Sequence, residues 1–98
     1  MKSEPLKVNQ WSLVDRHYKT ISPESNIKYL YGEREDGETI RSSRLISYGL
    51  ITNYEMKVIG IFVKTKSGSE YTLCNVDVFY EKEFPNSIDK LIKSLPMD

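Results

Sequence analysis

The stretch from Glu55 to Leu73 constrains the fold more than any other. Met56, Val58, Ile59, Ile61, Phe62 and Val63 form the most apolar run in the chain. The polar knot Lys66-Ser67-Gly68-Ser69 follows, and then Tyr71-Thr72-Leu73. β-Branched and aromatic side chains suit a pleated, half-buried surface, and Gly with Ser supplies the reversal, so the stretch predicts a β-hairpin. Its reversal is short, which makes the two arms antiparallel neighbours.

The segments before it obey the same grammar. Residues Met1 to Lys7 are polar and are expected to form a loose tail. Trp11 and Leu13 alternate around Ser12 and favour a strand to Val14, although Trp11, Val14, Tyr18 and Ile21 also fit a helical stripe. Aromatic and β-branched enrichment tips the reading towards strand. Ser22 to Asn26 is a turn, and Ile27 to Arg34 is a second strand. There Ile27, Tyr29 and Tyr31 share one face, and Lys28 and Leu30 the other. Asp36-Gly37 reverses the chain, with Ile40 then pointing in and Arg41 out. Arg41-Ser42-Ser43-Arg44 breaks the alternation, as a bulge or an edge does. Leu45, Ile46 and Tyr48 restore it, and Gly49 to Asn53 reads as a connection into the hairpin.

Beyond Cys74 the pattern turns helical. Asp77 is placed to cap a short turn over Val78 to Glu83, ended by Pro85. A clearer helix spans residues 86–95, capped by Asn86 or Ser87, with an apolar stripe of Ile88, Leu91, Ile92 and Leu95. Lys90, Lys93 and Ser94 are left to face water. The expected architecture is α+β and mainly β: a small antiparallel sheet or SH3-like barrel of four to five strands with a C-terminal helix. The stripe plugs its open side or base.

Composition narrows the function classes. A chain of 98 residues makes one domain, and 39% hydrophobic with 29% charged residues is too rich in aliphatics for disorder. Fourteen basic and fourteen acidic residues cancel, whereas a dedicated nucleic-acid binder usually carries a basic surplus. One cysteine, Cys74, excludes an intramolecular disulfide and reads as a small buried hydrophobe. No apolar segment is long enough to span a bilayer, and the first residues do not lead into a secretory signal. A soluble, cytoplasmic protein without a membrane partner is the expectation.

Candidates for chemistry are few. Zinc needs four Cys or His ligands, and the chain offers His17 and Cys74. The acidic loop Glu33, Glu35, Asp36 and Glu38 lacks the ligand series of an EF-hand and reads as a solvated hairpin tip. His17 beside Asp15 has no nucleophile turn to serve, and Ser67-Gly68-Ser69 is a turn without phosphate-loop spacing. The sequence therefore implies no metal, no cofactor and no catalytic set. What remains is a charge asymmetry. Arg41, Arg44, Lys57, Lys64 and Lys66 face only Glu55 between Thr39 and Ser67, and acids predominate from Gly68 to Asp89. Such a division steers association with a charged partner, unless local pairing cancels it.

The pattern Tyr31-Gly32, Asp36-Gly37, Ile40-Arg41-Ser42-Ser43-Arg44 and Val63-Lys64-Thr65-Lys66-Ser67-Gly68-Ser69-x-Tyr71-x-Leu73 resembles one in small proteins of bacteria, phages and mobile elements. The resemblance covers the middle half of the chain and the start of the tail. It implies a setting in which small, cofactor-free inhibitors of host defence, such as anti-CRISPR proteins, are common.

The leading expectation is a non-enzymatic module that covers a surface on a larger bacterial protein or protein–nucleic-acid complex. Tyrosine and arginine are favoured anchors. The candidate binding residues are Arg41, Arg44, Lys64 and Lys66, with Tyr29, Tyr31 and Tyr48 beside them. Two alternatives stand: direct nucleic-acid binding through the same residues, and homodimerisation through an uncovered edge strand.

Overall fold

The computed structural model describes residues 5–98, so most of the tail expected at residues 1–7 lies outside the described residues. Five strands form a closed barrel: β1 (Leu6–Val14), β2 (Tyr29–Glu33), β3 (Thr39–Thr52), β4 (Val58–Thr65) and β5 (Glu70–Leu73). Two short helices follow, α1 (Val78–Glu83) and α2 (Ser87–Ser94). Sequential neighbours pair antiparallel. An odd number of strands leaves the first and last running the same way, so β5 closes on β1 as a parallel pair at Leu6↔Tyr71, Lys7↔Thr72 and Val8↔Leu73. Leu6 and Lys7, expected in a loose tail, are thus strand residues, because β5 offers an edge that the local sequence does not reveal.

The turns form where the local chemistry demands. Gly37 and Gly68 take φ values of 89° and 93°, in the left-handed region that glycine enters without steric cost. Asp36 Oδ1 accepts from the Glu38 amide at 3.0 Å, and Asn53 Oδ1 accepts from the Glu55 and Lys57 amides at 2.9 and 3.1 Å. The strand reading holds for Trp11 to Val14, but residues 15–20 form a turn and a bridge. The supposed connection from Gly49 to Asn53 is instead strand as far as Thr52. Gly49 sits there because the Phe62 ring, its cross-strand neighbour, lies directly over it and leaves no room for a Cβ.

The core joins both parts of the fold. Val8, Trp11, Leu13, Leu30, Leu45 and Val63 fill the barrel, and Tyr80, Leu91 and Leu95 pack into the same cluster from the helices. The α2 stripe therefore plugs the barrel as its spacing predicts. Its cap differs. Asn86 occupies the cap position with a left-handed φ of 58° and no side-chain bond, while Glu81 does the capping from α1. The Glu81 carboxylate accepts from the Asn86 amide at 2.7 Å and from Ser87 Oγ at 2.6 Å, which holds its pKa below the ordinary carboxylate value.

Lys28 is the least expected core residue, 1% exposed. Its Nζ donates to Ser25 O and to Ser94 Oγ, both at 2.8 Å, and Ser94 Oγ in turn donates to Pro23 O. Ser94, expected to face water, is thus the polar link between α2, the 22–27 loop and β2. No carboxylate neutralises the ammonium among the described residues. Burial, reinforced by the neighbouring Arg44 charge, lowers the Lys28 pKa from 10.5.

Two predictions follow from this packing. A Cβ at Gly32 would lie 2.6 Å from Val8 Cγ1 and 2.9 Å from the Asn9 carbonyl, whereas one at Gly60 meets nothing nearer than Ile51 Cδ1 at 3.3 Å. Urea unfolding should show Gly32→Ala destabilised by about 1–3 kcal/mol and Gly60→Ala much less affected. For Lys28, the unfolded chain holds a proton that the folded one gives up between the lowered pKa and 10.5. Stability conferred through this residue therefore rises with pH across that window. Tyr80 acts oppositely: its raised pKa costs stability once pH passes its unfolded value near 10.0. The difference in stability between wild type and Lys28→Met, followed up to about pH 9.5, should grow in favour of wild type; a flat difference would contradict the assignment.

Candidate functional site

The outer face of β2 and the first half of β3 gathers the polar side chains that the core does not use. Its arrangement depends on an irregularity. Tyr31 pairs with Arg41 and Tyr29 with Arg44, so two steps along β2 match three along β3. The extra residue is a bulge at Ser42–Ser43, one of the two forms the sequence allowed. Ser42 turns inward, 3% exposed, and its Oγ accepts from the Leu30 amide at 2.9 Å and donates to Ser43 O at 2.7 Å. In a regular strand, positions 41 and 44 would point to opposite faces. With the bulge, Arg41 and Arg44 share one, opposite the two tyrosines.

Arg41 is held rather than free. Its guanidinium lies 4.8 Å from the Tyr18 ring centroid and 4.7 Å from that of Tyr29, and Nη1 donates to Arg16 O at 3.1 Å. Tyr31 meets Tyr18 edge-on at 5.8 Å. Tyr18 reaches this position from the turn after β1, with φ of 66°. Asp15 Oδ1 stabilises that turn by accepting from the His17 and Lys19 amides at 2.8 and 3.0 Å. These backbone bonds, with the nearby positive charges, lower the Asp15 pKa. The carboxylate that might have oriented His17 is thus engaged with the main chain.

The turn between β4 and β5 completes the face. The Lys66 amide donates to Arg44 O at 2.8 Å. Ser43 Oγ donates to Ser67 Oγ at 2.9 Å and accepts from the Ser67 amide at 3.1 Å. These bonds place exposed Lys66 beside Arg44. Arg16 and Lys19 add cations from the Tyr18 turn. Among the described residues none of Arg16, Lys19, Arg41, Arg44 and Lys66 has a carboxylate within ion-pair distance, whereas Lys7, Arg34, Lys57 and Lys64 do.

Five of the seven residues expected at the site therefore lie on this face: Tyr29, Tyr31, Arg41, Arg44 and Lys66. Lys64 does not join them as a free cation, because Glu70 and Asp98 bind it at 3.5 and 2.8 Å and raise its pKa. Tyr48 is half-buried against the core, and its backbone receives the C-terminal segment. The expected division of charge is thus cancelled around Lys64 and survives around Arg41. Tyr18, Arg16 and Lys19 were not foreseen; an aromatic residue in an otherwise polar turn was the one available signal.

Other expected chemistry takes plain forms. Arg34 pairs with Asp36 at 3.3 Å and Glu38 at 4.0 Å, which neutralises much of the acidic hairpin tip. Cys74 is half-buried, and its carbonyl accepts from Trp11 Nε1 at 3.3 Å. Among the described residues no three His, Cys, Asp or Glu side chains cluster in metal-binding geometry, and no helix is long and apolar enough to cross a membrane.

Comparison of the chain with protein-family models, curated proteins and solved structures found no match.

The stacked arginine offers a direct test of rigidity. A double-mutant cycle on Tyr18→Ala and Arg41→Ala should give a coupling of about 0.5–1 kcal/mol in urea unfolding, as for an exposed cation–π pair. A coupling near zero would mean that the ring and guanidinium do not restrain each other in solution.

Proposed function

We propose that this protein is a non-enzymatic binding module whose basic, tyrosine-lined face covers an acidic surface on a larger protein. The observation that carries the reading is Arg41. It is exposed and held against two tyrosine rings, and no carboxylate among the described residues pairs with it. Holding a guanidinium in place before contact reduces the entropy lost on binding, and Arg with Tyr is the pairing most often found at energetic centres of interfaces. Arg44 and Lys66 extend the positive field to one side, and Arg16 and Lys19 to the other. An acidic partner gains from all of them and is steered towards them.

Single-stranded nucleic acid is the second reading, favoured by tyrosines and cations on outer strands of a small barrel. The geometry supports it less well. Arg41 already covers one face each of Tyr18 and Tyr29, which reduces the stacking area offered to bases. The resemblance noted for the pattern from Tyr31 to Leu73 adds a setting to the first reading. Small inhibitors of bacterial defence, such as anti-CRISPR proteins, are common in that setting, so the surface covered would be that of a defence complex.

Affinity capture from bacterial lysate at low and moderate salt tests the proposal, with wild type and Arg41→Glu/Arg44→Glu immobilised side by side. A protein retained by wild type should be lost more than about tenfold on the charge-reversed variant, and retained less as salt rises. Equal retention on both would overturn the reading. Wild-type shift of single-stranded oligonucleotides without any differential protein would establish the nucleic-acid alternative instead.

A further inference from the structure

Between the outer side of β1 and β2 and the helix α1 lies a cavity of about 260 Å³. A second bulge shapes it. Asn9 pairs with Glu33 and Ser12 with Tyr31, so three steps along β1 match two along β2, and Gln10 takes a φ of 50° in the irregular stretch. Trp11 and Leu13 point into the core, so Ser12 between them points outward, where it lines the cavity. Ser12 is nonetheless only 7% exposed, and its hydroxyl has no hydrogen-bond partner among the described residues. No sealed polar side-chain atom among those residues lacks a partner, so the hydroxyl belongs to the part of Ser12 left open. Polar groups this deep are ordinarily paired, and one that opens unpaired into a cavity is a group that a ligand satisfies.

The charge around it has one sign. Glu33 enters from β2, Asp77 from the start of α1 and Glu83 from its end, and none has a cation within ion-pair distance among the described residues. One oxygen of Asp77 caps α1 through the Tyr80 amide. No lysine, arginine or histidine lines the cavity. Arg41, opposite Tyr31 on β3, is held instead by the Tyr18 and Tyr29 rings. Exposed Phe79 adds ring surface along which an apolar stem or a cation can lie.

We propose that this cavity binds the ammonium or guanidinium head of a small organic cation, with Ser12 as the deep acceptor and Glu33 and Glu83 as the opposing charges. Size sets the class of ligand. Sites for drug-sized molecules measure about 300–1,000 Å³, so this one takes a single short chain and not a nucleotide. Carboxylates of one sign repel phosphates and other anions, and the hydroxyls of Ser12, Thr20 and Thr39 accept N–H groups that the carboxylates leave over. A free amine carries such a head, and so does a Lys or Arg side chain of a partner.

Titration of the isotopically labelled full chain with agmatine, which has both heads on one short stem, tests the site through backbone amide shifts. Saturable shifts should centre on Ser12, Gly32 and Phe79 with a Kd of about 1 mM or tighter, and affinity should fall as salt rises. Butanediol, an uncharged analogue of the same stem, should leave those amides unmoved. Glu33 and Glu83 are exposed, so replacing them leaves the core in place. Glu33→Gln/Glu83→Gln should weaken binding at least about tenfold and Ser12→Ala about threefold, with thermal melts confirming that each variant is folded. Glu55→Gln, outside the cavity, should keep wild-type affinity. Acetyl-arginine amide identifies the source of the head: affinity equal to that of agmatine assigns the site to a partner's side chain, and lost affinity assigns it to a free amine. Absence of saturable shifts up to about 10 mM agmatine would overturn the proposal. So would shifts spread equally over the Glu35–Glu38 tip, or a double variant that binds as tightly as wild type.

Discussion

The contact on which the rest of the structure depends is the parallel seam between β1 and the end of the barrel. It continues past β5: the Cys74 amide donates to Val8 O, the Trp11 amide to Asn75 O, and the Asp77 amide to Trp11 O. Trp11, fully buried, lies at the middle of this seam, its ring 6.3 Å from that of Tyr80. The seam fixes Asp77, whose carboxylate accepts from the Tyr80 amide at 3.0 Å and starts α1. Tyr80 then donates its hydroxyl to Ile21 O at 2.6 Å, and Glu81 starts α2. From α2, Leu91 and Leu95 reach the core and Ser94 reaches Lys28. Each helix is shorter than an isolated helix needs to be stable in water, so their order derives from the barrel.

On the outer side a single inserted residue has the comparable role. The bulge at Ser42–Ser43 makes two arginines neighbours, sends a serine hydroxyl inward to the Leu30 amide, and leaves Ser43 to grip the Ser67 turn. The bonds from Ser43 to Ser67 and from the Lys66 amide to Arg44 O then join the β4–β5 turn to the face that β2 and β3 share.

What the sequence reveals and what it hides divide along the range of the interactions. Asp36-Gly37, Ser67-Gly68-Ser69, the α2 stripe and the break at Ser42–Ser43 are legible because turn chemistry and periodicity are local. The closure of β5 on β1 is not, since neither edge announces its partner. Gly49 looks like loop punctuation, and only the ring of Phe62 explains it as strand. Lys28 shares a strand face with Leu30 in the sequence, but its burial is hidden there because the serine that receives it lies 66 positions away. The same limit acts at the site. Alternation puts Tyr29 and Tyr31 on one face and points Arg41 outward, but Lys64 could not be separated from the other cations without knowing that Asp98 returns to bind it.

The parallel seam also sets an order of events during synthesis. The β3–β4 ribbon joins residues close in sequence and can form within microseconds. The seam joins Leu6 to Tyr71 and must wait until the 64 residues between them have been made. At about 5–20 residues per second, a nascent chain passes several seconds with β1 lacking one neighbour, Trp11 unsheltered and neither helix supported. The segment from Tyr71 to Asp77 therefore decides when β1 becomes safe from misassembly.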